Sequence, residues 1–354
     1  MKAIIHIGQS KAGSTAIQFF ISKNRRLLKQ AGYFVPLYRP TRQYGFHAYT
    51  LTSFRNMSQR RLSNHMGINS QAELEEFQEM FAERVQNDLA AASRKQTHVV
   101  ISAEGLSGRS IEEAQRLRDL LAPTCTEFQI VIYLRRQDLK QVSQFRLQVK
   151  NKGLKSNDMF HNKNSPRFDY FATCERWAQV FGDAAVFPRV FPDSTHEPYD
   201  LIDDFAQLCG IADTAVYSKL KRPGRRNEAW DWRVVEFNRL MNEYIPALAD
   251  GKVPKERKRL EGILRECFPE CEQRKPARAQ ARQFFEIYRE SNERLRAKWF
   301  PEQESLFKED FSKYPEEPDS RELSVEEAVY IASRILKSVS GDDTDDGDLQ
   351  ESDA

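Results

Sequence analysis

Apolar and polar positions alternate between strand-like and helix-like patterns over the first 240 residues. Short apolar runs rich in β-branched residues are typical of buried parallel strands. Such runs occur at Ala3–Ile7, His98–Ile101 and Phe128–Leu134, with a further one at Ala184–Phe187. Apolar residues at helical spacing follow the first run, from Ser14 to Ala31, before Gly32. The alternation predicts an α/β fold with a doubly wound, mostly parallel sheet, helices on both faces and ligands at the carboxyl ends of strands.

The pattern becomes helical and highly charged after about residue 230. Phe284, Tyr288, Leu295 and Trp299 recur at heptad-like spacing, and Ser324 with Glu327 has the spacing of a capping box. The last residues are acidic and almost free of apolar side chains. We therefore expect an α/β domain over residues 1–240, a C-terminal helical extension over 241–338 packed on it, and a disordered tail over 339–354.

Composition narrows the class of protein. Hydrophobic residues make up 40% of the chain, more than disordered chains carry, and no apolar run approaches the roughly 20 residues that span a bilayer. The chain opens directly into a strand pattern, without the features of a signal peptide. The five cysteines are scattered, and the Cys267 and Cys271 pair has no accompanying histidine or second pair. We expect a cytoplasmic protein with no transmembrane segment, no disulfide framework and no metal.

The charge distribution favours an anionic ligand. The net charge is +2, but the last fourteen residues hold seven acidic and no basic side chains, so the rest of the chain has nine surplus positive charges. These basic residues are dispersed and are not interleaved with aromatic residues on a recognisable module. No nucleic-acid partner is expected.

The segment after the first apolar run has the pattern of a phosphate-binding loop. It reads Gly8-Gln9-Ser10-Lys11-Ala12-Gly13-Ser14-Thr15, with hydroxyl residues opening the predicted helix. Backbone N–H groups and the positive helix end then point to one place, where an anion is favoured. Ser14 stands where a nucleotide triphosphatase has its lysine, and Lys11 lies earlier in the loop. A lysine so displaced is re-aimed towards a different bridging oxygen, which favours a sulfuryl donor.

Two segments carry a resemblance to a known family. The run Lys11-Ala12-Gly13-Ser14-Thr15 resembles the first loop of sulfotransferases that use 3′-phosphoadenosine 5′-phosphosulfate (PAPS). Arg135 at a strand end, with Ser143 eight residues later, is similar to the family's second signature. Together with Ile132–Asp138 and the opening strand, the chain looks like bacterial sulfotransferases of carbohydrates or lipid-linked glycans over roughly residues 1–240. The resemblance implies a P-loop-type fold, a nucleotide-binding domain and PAPS as co-substrate.

The resemblance also implies residue roles. Lys11 would stabilise the leaving bridging oxygen, while the N–H groups of residues 12–15 hold the 5′-phosphate. Arg135 and Ser143 would bind the 3′-phosphate. Arg225, Arg226 and Asn227 follow a turn and would complete that pocket, although Asn227 is equally placed to cap a helix.

The acceptor hydroxyl requires a base, for which two residues are candidates. Glu104 follows the strand His98–Ile101, where α/β sites assemble, and burial would raise its pKa. His47 has the better intrinsic pKa for proton transfer. The candidate catalytic residues are therefore Lys11, Glu104, His47 and Ser143, with the choice of base open.

Three functions remain in competition. The first is sulfuryl transfer to a hydroxyl or amine of an acceptor, expected to be a glycan or glycolipid. The second is a P-loop kinase or triphosphatase, which would need Mg²⁺. The third is a non-catalytic nucleotide-binding module. The acceptor identity and the oligomeric state stay open at this stage.

Overall fold

The computed structural model describes residues 1–38, 49, 67–192, 200–224, 230–249 and 253–340. Two compact units divide the chain: the first contains residues 1–140, 162–225 and 282–310, and the second contains 141–161, 226–281 and 311–354. Residues 282–310 of the expected helical extension thus belong to the first unit, and 141–161 of the expected α/β domain to the second. The predicted domain division itself stays a prediction.

The first unit is built on a five-stranded parallel sheet with the order β2-β3-β1-β4-β5. The strands are β1 (Lys2–His6), β2 (Tyr33–Phe34), β3 (His98–Ser102), β4 (Glu127–Leu134) and β5 (Val186–Val190). The central strands are buried along most of their length, which explains their continuous apolar sequences. The α/β fold and the parallel sheet expected from the sequence are confirmed.

Twelve α-helices occur among the described residues. They are α1 (Ser14–Lys23), α2 (Arg25–Gln30), α3 (Gln71–Ala92), α4 (Ile111–Leu121), α5 (Gln137–Lys152), α6 (Tyr170–Phe181), α7 (Leu201–Leu208), α8 (Trp232–Met241), α9 (Lys255–Cys267), α10 (Arg278–Glu286), α11 (Arg289–Trp299) and α12 (Val325–Ser340). In the first unit α1 contacts α7, whereas α6 contacts both α4 and α11.

The strand order places a topological switch point between β1 and β4. The chain leaves β1 towards β2 on one side of the sheet, and leaves β4 towards β5 on the other side. Right-handed crossovers in opposite directions put their helices on opposite faces, so the two loops diverge and open a crevice. By this rule, the expected ligand position is at the carboxyl edge of the sheet, where the loop at residues 8–13 meets the segment that begins at Arg135.

Strand β2 was not predicted from the sequence, and two predicted elements differ in the structure. The helix expected from Ser14 to Ala31 is broken at Asn24, because the side-chain amide of Asn24 donates to the carbonyl oxygens of Phe20 and Lys221, each at 2.8 Å. The strand expected at residues 184–187 begins two residues later, because residues 183–185 form a 3-10 turn after Gly182.

The second unit has its own helical core. Helices α8, α9 and α12 contact one another, and Val234, Leu264, Cys267 and Ile331 form the buried cluster among them. The predicted capping box at the start of α12 is present, because Ser324 and Glu327 exchange hydrogen bonds. Residues 341–354 of the predicted acidic tail lie outside the described residues.

Candidate functional site

The loop between β1 and α1 has an unusual backbone conformation. Gly8, Lys11 and Gly13 have φ angles of 55°, 65° and 80°. Such angles suit glycine, but for a residue with a Cβ atom, such as Lys11, they are uncommon. The loop is therefore a sharp turn. Of the three loop residues with positive φ angles, only Lys11 has a side chain, and it lies at the bend.

Close packing explains the two glycines. A Cβ atom at Gly8 would lie 2.8 Å from the Cα atom of Glu104, and one at Gly13 would lie 2.1 Å from Cδ2 of Leu201. Both distances are well below normal contact, and the first is to backbone. The loop consequently passes directly against the segment that follows β3.

The loop is closed internally and leaves the start of α1 uncapped. The Ser14 hydroxyl donates to the carbonyl oxygen of Gln9 at 2.9 Å, and the backbone N–H of Ala12 donates to the same oxygen at 3.3 Å. No side chain among the described residues caps the N-terminus of α1, where Gly13 is the N-cap residue. An uncapped helix start with its positive dipole end favours an anion.

Arg135 joins the strand end of β4 to the loop. Its Nη1 atom donates to the carbonyl oxygen of Lys11 at 3.0 Å, and its guanidinium lies 5.6 Å from the ring centre of Phe191. The carbonyl oxygen of Arg135 accepts a hydrogen bond from the Tyr170 hydroxyl at 2.5 Å. The structure thus brings Arg135 and Lys11, which are 124 residues apart, to one edge of the sheet.

Glu104 lies beside the same loop. Burial raises its pKa, while a hydrogen bond with Ser10 and the positive charges of Lys11 and Lys140 oppose that shift. The carboxyl group is therefore close to two cations and a hydroxyl group. Such a balance of burial and positive charge is a common setting for a proton acceptor.

Lys140 was not anticipated from the sequence. It lies on the first turn of α5 and is 2% exposed. Its ammonium group donates to Oε1 of Gln9 at 2.8 Å and to the carbonyl oxygen of Arg167 at 3.0 Å. It also lies 4.9 Å from the ring centres of Phe168 and Tyr170. In the sequence, the feature that could have identified Lys140 as a site residue is its position about one helical turn after the end of β4.

Burial of Lys140 predicts a specific pH dependence of stability. Burial lowers its pKa from 10.5 to about 7, so the unfolded chain binds more protons than the folded protein between these two values. The free energy of unfolding should therefore rise with pH from about 7, by up to about 1.4 kcal/mol per pH unit. In Lys140→Met this component should disappear.

Urea unfolding between pH 7 and 8.5 checks this prediction. Burial raises the pKa of the buried thiols Cys125, Cys174 and Cys209, and this effect lowers stability as the pH approaches about 9, equally in the wild type and in Lys140→Met. His6, whose pKa burial lowers to about 3, titrates below the chosen range in both states. Equal slopes for wild type and Lys140→Met would contradict the prediction.

Several residues expected at the site lie elsewhere or are not described. His47, Arg225, Arg226 and Asn227 lie outside the described residues. Ser143 lies on α5, in the part of this helix that belongs to the second unit. Its role with Arg135 stays a prediction.

Neither a membrane-spanning helix nor a metal site occurs in the described part of the chain. No helix there is long and apolar enough to cross a membrane. Within the same ranges, no three or more histidine, cysteine, aspartate or glutamate side chains form a group suited to a metal ion.

Comparison with known proteins gives two similarities, and no family model matches the chain. An uncharacterized protein of Archaeoglobus fulgidus is 31% identical over 113 residues, which are 32% of this chain. The matched part covers 30% of that relative's own length. The crystal structure of a sulfotransferase from Alicyclobacillus acidocaldarius aligns with 84% of this chain and 94% of that one, with 15% identity and a TM-score of 0.40.

Proposed function

We propose that the protein is a sulfotransferase that moves a sulfuryl group from PAPS to an acceptor hydroxyl. The observation that carries the proposal is the contact of Arg135 with the loop of Lys11 at the carboxyl edge of the sheet. This contact unites the two segments whose sequences resemble the donor-binding signatures of PAPS-dependent sulfotransferases.

The position of Ser14 supports a sulfuryl donor over a nucleoside triphosphate. Ser14 is buried, and its hydroxyl is engaged with the carbonyl oxygen of Gln9 inside the loop. In triphosphatases this position holds the lysine that reaches the β- and γ-phosphates. Here the cation of the loop is Lys11, at the bend before Gly13.

The residues of the crevice suggest a division of roles. Loop N–H groups and the start of α1 would hold the 5′-phosphate, and Arg135 would bind the 3′-phosphate through charge-assisted hydrogen bonds. The role of Ser143 stays a prediction from the resemblance. The 3′-phosphate distinguishes this donor from ATP.

Glu104 is proposed as the base. In the transfer, the acceptor oxygen bonds to sulfur, its proton passes to the Glu104 carboxylate, and the bond from sulfur to the bridging oxygen breaks. Lys11 would stabilise the negative charge that develops on that oxygen, leaving adenosine 3′,5′-bisphosphate as the product. The charge of Lys11 also lowers the pKa of Glu104, which favours the ionised form that accepts the proton.

We propose a carbohydrate or glycan as the acceptor, on the resemblance to bacterial enzymes with such substrates. Cytoplasmic localisation is part of the same proposal. The proposed reaction requires no metal ion, because the charge that develops during sulfuryl transfer would be stabilised by side chains and backbone N–H groups.

Thermal unfolding with adenosine 3′,5′-bisphosphate tests the donor assignment. At about one hundred times its dissociation constant, this ligand should stabilise the wild type by roughly 2.7 kcal/mol. In Arg135→Ala the stabilisation should be lost, because the cation opposite the 3′-phosphate is gone. Arg118→Ala, at an exposed position on α4, is the matched control and should respond like the wild type.

The outcomes separate the competing functions. Stabilisation by ATP with Mg²⁺ but not by the bisphosphate would replace the proposal with a P-loop kinase or triphosphatase. Binding of the bisphosphate without transfer to any acceptor would favour a non-catalytic nucleotide-binding module. An unchanged response of Arg135→Ala would remove Arg135 from the donor site.

A further inference from the structure

The loop is tied to the segment after β4 at two points. Arg135 binds the backbone of Lys11, and Lys140, five residues further on, binds the side chain of Gln9. Gln9 is itself 3% exposed, and its carbonyl oxygen accepts the two hydrogen bonds that close the loop. The hydrogen bond from Lys140 therefore reaches Gln9, the residue whose carbonyl oxygen closes the loop.

A neutral side chain would meet the hydrogen-bonding needs of Gln9 at a lower cost than lysine. Burying an ammonium group is unfavourable unless nearby groups stabilise its charge. Besides its two hydrogen bonds, Lys140 has the faces of Phe168 and Tyr170 within cation–π distance. The remaining favourable partner is an ionised group, Glu104, whose carboxylate raises the pKa of Lys140.

We infer that Lys140 is a positioning residue of the candidate site, which fixes the loop through Gln9 and holds the Glu104 carboxylate in its ionised form through its positive charge. The inference rests on the proposed function, because only in sulfuryl transfer would the Glu104 carboxylate act as a base. The contacts themselves do not depend on it.

The charged groups around the pair define what the inference predicts. Glu104 is influenced by Ser10 and Lys11 from the loop and by Lys140 from α5. Lys140 is influenced by Glu104 and by Arg167, whose charge lowers the pKa of Lys140. Without the charge of Glu104, only burial and the charge of Arg167 act on the pKa of Lys140. Both lower this pKa, because they favour the neutral amine.

NMR titration of lysine side chains labelled with ¹³C at Cε tests the charge coupling in the full chain without nucleotide. The Lys140 signal is assigned by its absence from Lys140→Gln. Its titration midpoint, expected near 7 in the wild type, should fall by at least about half a pH unit in Glu104→Gln. An unchanged midpoint would overturn the inference.

Calorimetry with adenosine 3′,5′-bisphosphate tests the link to the loop. Lys140→Met should bind this nucleotide on the order of tenfold more weakly, because the loop loses its tie at Gln9. Lys150→Met is the matched control, since Lys150 lies on the same helix but pairs with Glu261 in the second unit. Equal affinity of Lys140→Met and Lys150→Met would contradict the role in the loop.

The titration does not depend on the proposed function, whereas the calorimetry does. If the wild type does not bind the bisphosphate, the sulfotransferase proposal fails, while the titration still reports whether Lys140 and Glu104 interact. If Lys140→Met does not fold, Gln9→Met, which removes the acceptor of the same hydrogen bond, supplies the affinity measurement, and a wild-type affinity in that variant would overturn the role in the loop. The role of the charge is judged by the titration alone.

Discussion

Replacing Glu104 with glutamine is expected to lower the turnover of sulfuryl transfer by a factor of about 10² to 10⁴, the usual contribution of a general base. Glutamine has nearly the same shape, but it cannot accept the acceptor proton. The measurement is transfer of labelled sulfate from PAPS to the best acceptor found in a screen of hydroxyl-bearing glycans. Affinity for adenosine 3′,5′-bisphosphate should change little, because Glu104 is not assigned to donor binding.

Glu127→Gln provides the control for Glu104→Gln. Glu127 is exposed and begins β4, at the opposite end of the strand from Arg135. Its replacement should leave both turnover and nucleotide affinity unchanged. If Glu104→Gln retains wild-type turnover, Glu104 is not the base, and His47 becomes the residue to replace next.

Replacing Gly8 with alanine is expected to destabilise the protein by about 3 kcal/mol and to impair nucleotide binding. The positive φ angle of Gly8 costs an L-residue roughly 1 kcal/mol. The added Cβ would also lie 2.8 Å from the Cα atom of Glu104, so backbone must move. Since this movement displaces both the loop and Glu104, urea unfolding and bisphosphate calorimetry should both report the change.

Gly67→Ala separates the two causes. Gly67 also has a positive φ angle, 77°, but a Cβ atom there would meet no atom within 4 Å. This variant should show only the conformational cost, about 1 kcal/mol. If Gly8→Ala is no less stable than Gly67→Ala, the close approach of the loop to Glu104 is not a constraint on the sequence.

Local sequence patterns were sufficient for the elements that carry the loop. The apolar runs at β1, β3 and β4 are continuous because both faces of these strands are buried. The glycine spacing of the loop follows from local backbone conformation, which the glycine positions already indicate. Both signals come from residues adjacent in the chain, so they can be recognised without knowledge of distant contacts.

Helix α5 shows where such patterns mislead. Its sequence has the apolar residues Leu139, Val142 and Val149 at helical spacing, which predicts that their face is the buried one. The structure buries Val149 but leaves Leu139 and Val142 partly exposed, and on the first turns of α5 it buries the polar residues Gln137, Lys140 and Gln141. Gln137 pairs with Asn292 and Lys140 pairs with Gln9, each partner being more than a hundred residues away. Hydrophobic periodicity cannot detect a face whose burial depends on hydrogen bonds to distant residues.

The sequence by itself determined the α/β class, the parallel strands and the loop that favours an anion, because each depends on patterns within a short stretch of chain. Only the tertiary structure decided which side chains meet at that loop. The strand order brings Arg135 to Lys11 and Lys140 to Gln9, and the close approach at Gly8 fixes the position of Glu104. Those contacts join segments about a hundred residues or more apart in the sequence, and the burial and charge that shift the pKa values of Glu104 and Lys140 exist only in the folded protein.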